Sequence, residues 1–180
     1  MVDILFVGGS GDKSLTHTVE EALCRHFSAS VCPGSHSLLP ALPEDFLIHE
    51  SPGNRWSYSH QSILLCKRQF SAPGPFPLSS SAVGLLSSDN SPAADYLKAL
   101  GVNAVTCGMS VRDTLTFSSL EADSAVLCLQ RSLTLLSGSV QEPFELPLSL
   151  PHGYDAYALL CLAGVCILGG KTEELPHIRL

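Results

Sequence analysis

Charged and aromatic side chains are scarce in this sequence of 180 residues: 15% of the residues are charged and 7% are aromatic, against 45% that are hydrophobic. An intrinsically disordered chain has the opposite balance, with high charge and few apolar residues, so disorder is excluded. Low charge at this apolar content is typical of a folded protein in which both faces of a β-sheet are covered.

Clusters of positive charge are also missing from the chain. The ten lysines and arginines are scattered, and the net charge is −7. Nucleic-acid binding requires clustered basic residues that neutralise phosphates, so we expect no nucleic-acid partner. The pair Lys67-Arg68 forms a local basic spot.

No apolar run reaches the roughly 18 to 20 residues that a membrane span needs. The longest run, residues 156–168, lies between Asp155 and Gly169-Gly170 and predicts a buried helix. No basic segment precedes an apolar stretch at the N-terminus, so an export signal is not indicated. We therefore expect a cytoplasmic protein without a membrane partner.

Spacings that mark metal sites or disulfide frameworks are absent too. The seven cysteines include no Cys-x-x-Cys pair and are odd in number, and the seven histidines show neither His-x-x-x-His nor His-x-His spacing. Most of the cysteines lie inside apolar strand or helix patterns. We interpret them as reduced core residues, and we predict no zinc site.

The opening segment carries the clearest functional pattern. Residues 2–7 alternate little and are rich in β-forming residues, which predicts a central strand, and a helical pattern extends to Phe27. Between them, Lys13 could contact the β- and γ-phosphates of a nucleotide and Ser14 could ligate magnesium. Three glycines would allow phosphate to approach the backbone at this strand-to-helix turn. They are Gly8, Gly9 and Gly11.

This loop departs from the phosphate-binding pattern Gly-x-x-x-x-Gly-Lys-Ser/Thr, because Val7 and Asp12 stand at its two framing glycine positions. The carboxylate of Asp12 next to phosphate would cost on the order of kcal/mol at short range and reduced dielectric. The alternative is a tight turn in which glycine relieves strain and Asp12 favours the start of the helix. The sequence leaves both interpretations open.

Strand and helix patterns alternate over residues 1–110 and predict a three-layer α/β core with a mostly parallel, doubly wound, Rossmann-like or P-loop-like sheet. A helix over residues 92–100 is predicted with Ser91 as its N-cap and Pro92 at its first position. Residues 111–150 predict a small antiparallel meander, and residues 151–170 a closing helix over 154–168, before a short polar tail. We therefore expect residues 1–180 to form a single domain. The predicted core strands span residues 29–32, 46–50, 62–66, 82–86 and 102–107, and those of the meander 114–119, 125–130, 132–136 and 143–150.

Polar residues follow two of the predicted core strands at their carboxyl ends, where ligands bind in parallel sheets. Glu50 could ligate magnesium, or it could simply be a solvated strand end. Asp89 and Asn90 could contact the ribose or base of a nucleotide, or they could form an ordinary helix-entry turn. The aromatic rings of Trp56 and Tyr58 could stack on a ligand or anchor a loop.

The order of these elements resembles the central, nucleotide-binding domain of the Mur ligase family, the ATP-dependent amide ligases of peptidoglycan synthesis. Residues 9–16 are similar to the family's loop Gly-Thr-Asn-Gly-Lys-Ser/Thr-Thr, and Glu50-Ser51 stands where the family has a magnesium-binding glutamate. Residues 82–90 are similar to the family strand that ends in Asn-Ala-Asp-Asp. The resemblance implies ATP or another nucleotide, with Mg²⁺, as the cofactor.

The chain also departs from the family. A Pro/Ser loop stands where the family has its Asp-His-Leu-Asp segment and carbamylated lysine, and His152-Gly153-Tyr154-Asp155 replaces the His-Asn pair before the last helix. The family's two flanking domains have no counterpart in the sequence. We therefore expect a degenerate Mur-ligase-like domain that binds a nucleotide or other phosphate-bearing ligand without catalysis, as a binding or regulatory module.

Two alternatives remain at this point. The chain could be a component of an ATP-dependent ligase that works with the domains of a partner, or a purely structural protein that interacts with another chain or with a second copy of itself.

Overall fold

The computed structural model describes residues 1–9, 11, 13–32, 45–50, 61–74, 76, 78–150 and 153–178 of the chain. The interpretations that concern Asp12, Trp56, Tyr58 and His152 lie outside the described residues.

A nine-stranded sheet forms the centre of the molecule, in the order β11-β8-β7-β6-β5-β4-β1-β3-β2. Strands β1 to β6 pair in parallel, and β7 joins β6 in parallel through Cys107 and Leu115. Strands β7, β8 and β11 pair antiparallel at one side of the sheet. Its strands are β1 (Val2–Val7), β2 (Ala29–Cys32), β3 (Phe46–His49), β4 (Gln61–Cys66), β5 (Val83–Ser87), β6 (Asn103–Cys107), β7 (Leu115–Leu120), β8 (Ser124–Leu129) and β11 (Phe144–Ser149).

Helices cover both faces of the parallel part. Helices α1 (Ser14–His26) and α3 (Ala156–Leu168) pack with Ile4 and Phe6 of β1 in the larger core cluster. Helix α2 (Ser91–Ala99) lies on the opposite face, where Leu97 packs with Val7 and Leu64. Because β1 is buried along its whole length, its sequence does not alternate, and every residue of the strand except Asp3 is apolar. The predicted three-layer α/β fold is confirmed.

Helix α3 is apolar on all sides because the rest of the protein surrounds it. Every one of its residues from Tyr157 to Leu168 is buried, as expected for a helix without a solvent-facing stripe. Gly164 allows the close approach of the sheet, since a Cβ at this position would lie 2.8 Å from Leu85 Cδ2. Within the described part of the chain, no helix has both the length and the apolarity that crossing a membrane requires.

Several element boundaries differ from the sequence prediction. Helix α2 begins at Ser91 with Asn90 as its N-cap, because the Asn90 side chain accepts a hydrogen bond from Ala93 N at 3.2 Å. The predicted meander extends the main sheet, and its middle part forms a separate hairpin of β9 (Leu133–Thr134) and β10 (Val140–Gln141). The predicted polar tail contains a 3-10 helix, Thr172–His177, whose Leu175 is buried.

All seven cysteines lie in the described part of the chain and none of them forms a disulfide; Cys24 is the exposed one among them. Burial raises the pKa of the Cys66 and Cys166 thiols to about 12. These two thiols are therefore protonated at neutral pH and act as core residues.

Candidate functional site

A cavity of about 440 Å³ opens at the carboxyl ends of three adjacent strands, beside the beginning of α1. Ligand sites of open parallel sheets lie at this edge, where the chain continues to opposite sides of a central strand. The central strand here is β1, with β3 on one side and β4 on the other. The residues that follow these strands, and those on the first turns of α1, line the cavity: Gly8, Glu50, Lys67, Lys13, Thr16, His17 and Glu20.

The glycine-rich turn packs tightly on the segment that follows β4. Gly8 has a φ of +143°, and a Cβ there would lie 2.8 Å from Lys67 Cβ and 3.0 Å from the carbonyl oxygen of Gln69. The N–H of Gly9 donates to the same carbonyl oxygen at 2.7 Å. The turn therefore needs glycine at position 8 for its own packing, and the N–H of Gly9 already has an acceptor within the protein. Gly11 lies at the same turn, and a Cβ added to it would lie 3.4 Å from Gln69 Oε1.

Lys13 stands at the N-cap position of α1 and lines the cavity. Among the described residues, the N-cap Lys13 makes no capping hydrogen bond with its side chain. The first turn of α1 lies beside the cavity. The N-terminal end of a helix carries partial positive charge and favours an anion. Lys13 and the helix end therefore make this wall of the cavity attractive to phosphate.

Lys67 is the site residue that sequence reasoning did not assign. Its side chain is 6% exposed and lines the cavity, and its Nζ lies 5.9 Å from the centre of the Phe6 ring. Among the described residues, no carboxylate oxygen lies within 4.0 Å of its ammonium group. The signal available in the sequence was a lysine directly after a buried strand.

Two further polar atoms of the cavity are buried without a hydrogen-bond partner in the described part of the chain: Thr16 Oγ1 and Glu20 Oε1. Buried polar atoms are nearly always hydrogen-bonded in native proteins, so unpaired ones mark positions where a ligand or water fits. Burial raises the pKa of Glu20, and the charge of Glu50 raises it further, whereas His17 and Lys67 act in the opposite direction. Glu20 therefore accepts a proton more readily than an exposed glutamate does.

The two predicted magnesium ligands do not line the same cavity. Glu50 lies at the exposed rim of the cavity described above. Ser14 instead donates a hydrogen bond from Oγ to Asp155 Oδ2, at 3.2 Å, at the beginning of α3. Among the described residues, no group of three or more His, Cys, Asp and Glu side chains is arranged to hold a metal ion. That Ser14 and Glu50 ligate magnesium therefore stays a prediction.

Asp155 fixes the beginning of α3. Its Oδ1 accepts from the N–H groups of Tyr157 at 2.9 Å and Ala158 at 3.3 Å, and Arg68 donates to both of its oxygens at 2.7 and 2.8 Å. Burial by itself raises the pKa of Asp155, but the hydrogen bonds and charge of Arg68, together with the two backbone N–H groups, outweigh it and lower the pKa. Asp155 is therefore an anion whose charge is already balanced by Arg68.

Asp89 and Asn90 lie beyond Arg68, outside the lining of the first cavity. Asp89 lines two neighbouring cavities, of about 390 and 430 Å³, that Arg68 also lines. Asn90 caps α2 and donates from Nδ2 to the carbonyl oxygens of Lys67, at 3.0 Å, and Arg68, at 3.4 Å. The amide of Asn90 thus holds the segment after β4 in place. Asn90 does not line the cavity that Lys13 lines.

The mostly parallel sheet, the glycine-rich turn after β1 and the cavity at the strand ends define an α/β protein of the Mur-ligase-like fold. Among solved structures, the chain is similar to MurF from Acinetobacter baumannii, with a TM-score of 0.58 and 11% identity over 99% of this chain and 46% of that one. It is also similar to the MurF ligase from Thermotoga maritima in complex with ADP, with a TM-score of 0.53 and 12% identity over 100% of this chain and 48% of that one.

These similarities confirm the expected Mur-ligase-like fold. The chain spans about half the length of the MurF chains that it matches. No family model matches the sequence, and no curated protein matches it either.

Proposed function

We propose that the chain binds a phosphate-bearing small molecule, of the size of a nucleotide, in the cavity beside Gly8. In this proposal it acts as a binding or regulatory module and does not catalyse ligation. The observation that carries the proposal is Lys67, a buried residue that lines this cavity and whose ammonium group forms no ion pair within 4.0 Å among the described residues, although the charge of Glu20 acts on it from farther away.

The energetic argument concerns this buried charge. Burying an ammonium group is costly unless an anion compensates it, and Lys67 has only the face of the Phe6 ring at 5.9 Å and the more distant charge of Glu20 as favourable groups that the contacts identify. A phosphate between Lys67 and Lys13 would compensate the charge and would also meet the N-terminal end of α1. Both lysines line the same cavity.

The size of the cavity and the fold agree with this class of ligand. Small-molecule sites generally enclose roughly 300–1,000 Å³, and this cavity measures about 440 Å³. The solved MurF ligase from Thermotoga maritima is a complex with ADP. These points support a nucleotide as the first ligand to test.

The proposal that the module is non-catalytic rests on the sequence of the loop between β4 and β5. It lacks the family's Asp-His-Leu-Asp segment and its carbamylated lysine. The second candidate function is a ligase component that works with further domains, which the coverage of only 46–48% of the MurF chains favours.

Calorimetric titration with ATP, ADP and inorganic tripolyphosphate tests the proposed binding. We expect saturable binding by the wild type and roughly 10- to 100-fold weaker binding by Lys13→Met, because a hydrogen bond to a charged group contributes about 1.5–3 kcal/mol. Lys98→Met is the matched control, since Lys98 is exposed in the last turn of α2 on the opposite face of the sheet.

Absence of binding by all three anions would overturn the proposed function. Phosphate release from ATP, measured with amino-acid acceptors present, separates the two candidates: sustained release that Lys13→Met abolishes would replace the binding module by the ligase component.

A further inference from the structure

We propose that Lys67 supplies the positive charge that a magnesium ion supplies in many nucleotide sites, so that the ligand of this cavity binds without a divalent cation. The inference rests on the proposed function and adds to it the identity of the counter-charge. It assigns a phosphate-contacting role to a residue that the phosphate-loop pattern does not contain.

The backbone of Lys67 is fixed by hydrogen bonds from two neighbouring elements. Its N–H donates to the carbonyl oxygen of Val7 at 2.8 Å, and its own carbonyl oxygen accepts from Asn90 Nδ2 at 3.0 Å. Gly8 packs against its Cβ, where any larger residue would collide. The side chain therefore starts from a rigid position at the cavity wall.

The surroundings of the ammonium group leave it available to a ligand. Phe6 covers one side of it at 5.9 Å, and among the described residues no carboxylate oxygen lies within 4.0 Å. Thr16 also lines the cavity, and its Oγ1 is buried with no hydrogen-bond partner among the residues that the structure describes. A lysine offers three donors on a compact point charge, which is the form of charge that binds phosphate oxygens without a fixed angle.

The hydroxyl group that the phosphate-loop pattern assigns to magnesium is engaged elsewhere. The hydroxyl group of Ser14 donates a hydrogen bond to Asp155 at the start of α3, and both oxygens of that carboxylate accept hydrogen bonds from Arg68. A divalent cation close to Lys67 would also meet a like charge, and like charges repel more strongly at short range and reduced dielectric. In this inference the ammonium group of Lys67 takes the place of the magnesium ion.

Two carboxylates nevertheless line the cavity, Glu20 and Glu50. If they held a cation, ligand binding would require that cation. The dependence of binding on magnesium therefore distinguishes the two arrangements directly.

The experiment is calorimetric titration of the full chain with inorganic tripolyphosphate and with ATP. Each titration is run once in excess EDTA and once with magnesium at about 5 equivalents of the anion, which saturates the anion at ordinary affinities. We expect the wild-type affinity in EDTA to stay within about threefold of that in magnesium. Lys67→Met should bind at least tenfold more weakly in EDTA, the loss of one charge-assisted contact, and Lys98→Met should behave as the wild type.

Wild-type binding that appears only with magnesium would overturn this inference and leave the proposed function intact, whereas no binding under either condition would overturn the proposed function itself. Lys67→Met that binds tripolyphosphate as the wild type does in EDTA would also overturn the inference. If Lys67→Met does not fold, as judged by circular dichroism, Lys67→Gln takes its place, and the comparison of wild type in EDTA and magnesium decides the question without any variant.

Discussion

Asp155 connects three elements, and its replacement has an effect on stability whose size follows from its contacts. Asp155→Ala removes the N-cap of α3, at a cost of about 1 kcal/mol, and the ion pair with Arg68. The Arg68 side chain is 52% exposed, so that pair contributes only about 0.5–1 kcal/mol. The sum is roughly 2 kcal/mol, which for a chain of this length lowers the melting temperature by about 4–8 °C.

Asp155→Asn separates the two contributions, because asparagine caps a helix about as well as aspartate but carries no charge. We expect Asp155→Asn to recover about half of the loss seen with Asp155→Ala in thermal unfolding followed by circular dichroism. A double-mutant cycle with Arg68→Ala should give a coupling energy of roughly 0.5–1 kcal/mol for the ion pair. Equal melting temperatures for wild type and Asp155→Ala would refute the reasoning.

The same residue predicts a dependence on pH. The pKa of Asp155 is lowered below its ordinary value of 3.8 in the folded protein, so its charge stabilises the fold above that value and the stabilisation is lost as the pH falls through the lowered pKa. The difference in melting temperature between wild type and Asp155→Asn should therefore be constant at neutral and weakly acidic pH and vanish at strongly acidic pH. A difference that grows on acidification would contradict the assigned sign.

Three further substitutions test the packing and the electrostatics of the site. Gly8→Ala should cost about 1–3 kcal/mol in chemical unfolding, because the turn has a positive φ and no room for a Cβ. Gly74→Ala, where no atom of the described residues lies within 4 Å of an added Cβ, should be neutral, and an equal loss in both variants would exclude this explanation. Gly84→Ala places a Cβ 2.4 Å from Leu97 Cδ1 and should cost a similar amount, part of which Leu97→Val restores in the double variant. Glu20→Gln should melt at a higher temperature than wild type at neutral pH, since the raised pKa of Glu20 means that its charged form is disfavoured in the folded state. This difference should disappear as the pH falls through the raised pKa. A lower melting temperature of Glu20→Gln at neutral pH would contradict the assigned direction of the pKa shift.

The sequence was sufficient for features that depend on neighbouring residues. The buried strand β1, the glycine-rich turn and the apolar helix α3 each follow from a local pattern, and all three are present. The cap of α2 was assigned one residue too late, because Ser91 and Asn90 are both good N-caps and only the position of Ala93 N decides between them. Local patterns therefore fix which elements form more reliably than they fix where each one begins.

The composition of the site depends on contacts between distant parts of the chain. Gly8, Glu50 and Lys67 line one cavity because β3 and β4 flank β1 in the sheet, and strand order does not follow from hydrophobic periodicity. The bond between Ser14 and Asp155 joins residues 141 positions apart. Sequence reasoning could place Ser14 at a helix start but could not find the acceptor of its hydroxyl group, and it overlooked Lys67 for the same reason.

The segment after β4 forms a wall between two cavities. Lys67 lines the cavity beside α1, and the next residue, Arg68, lines the cavity beside α3. The amide of Asn90 holds the carbonyl oxygens of both residues. A shift of this short stretch of backbone would therefore alter the two cavities together. A natural or designed substitution that moves it to reshape one cavity also changes the other.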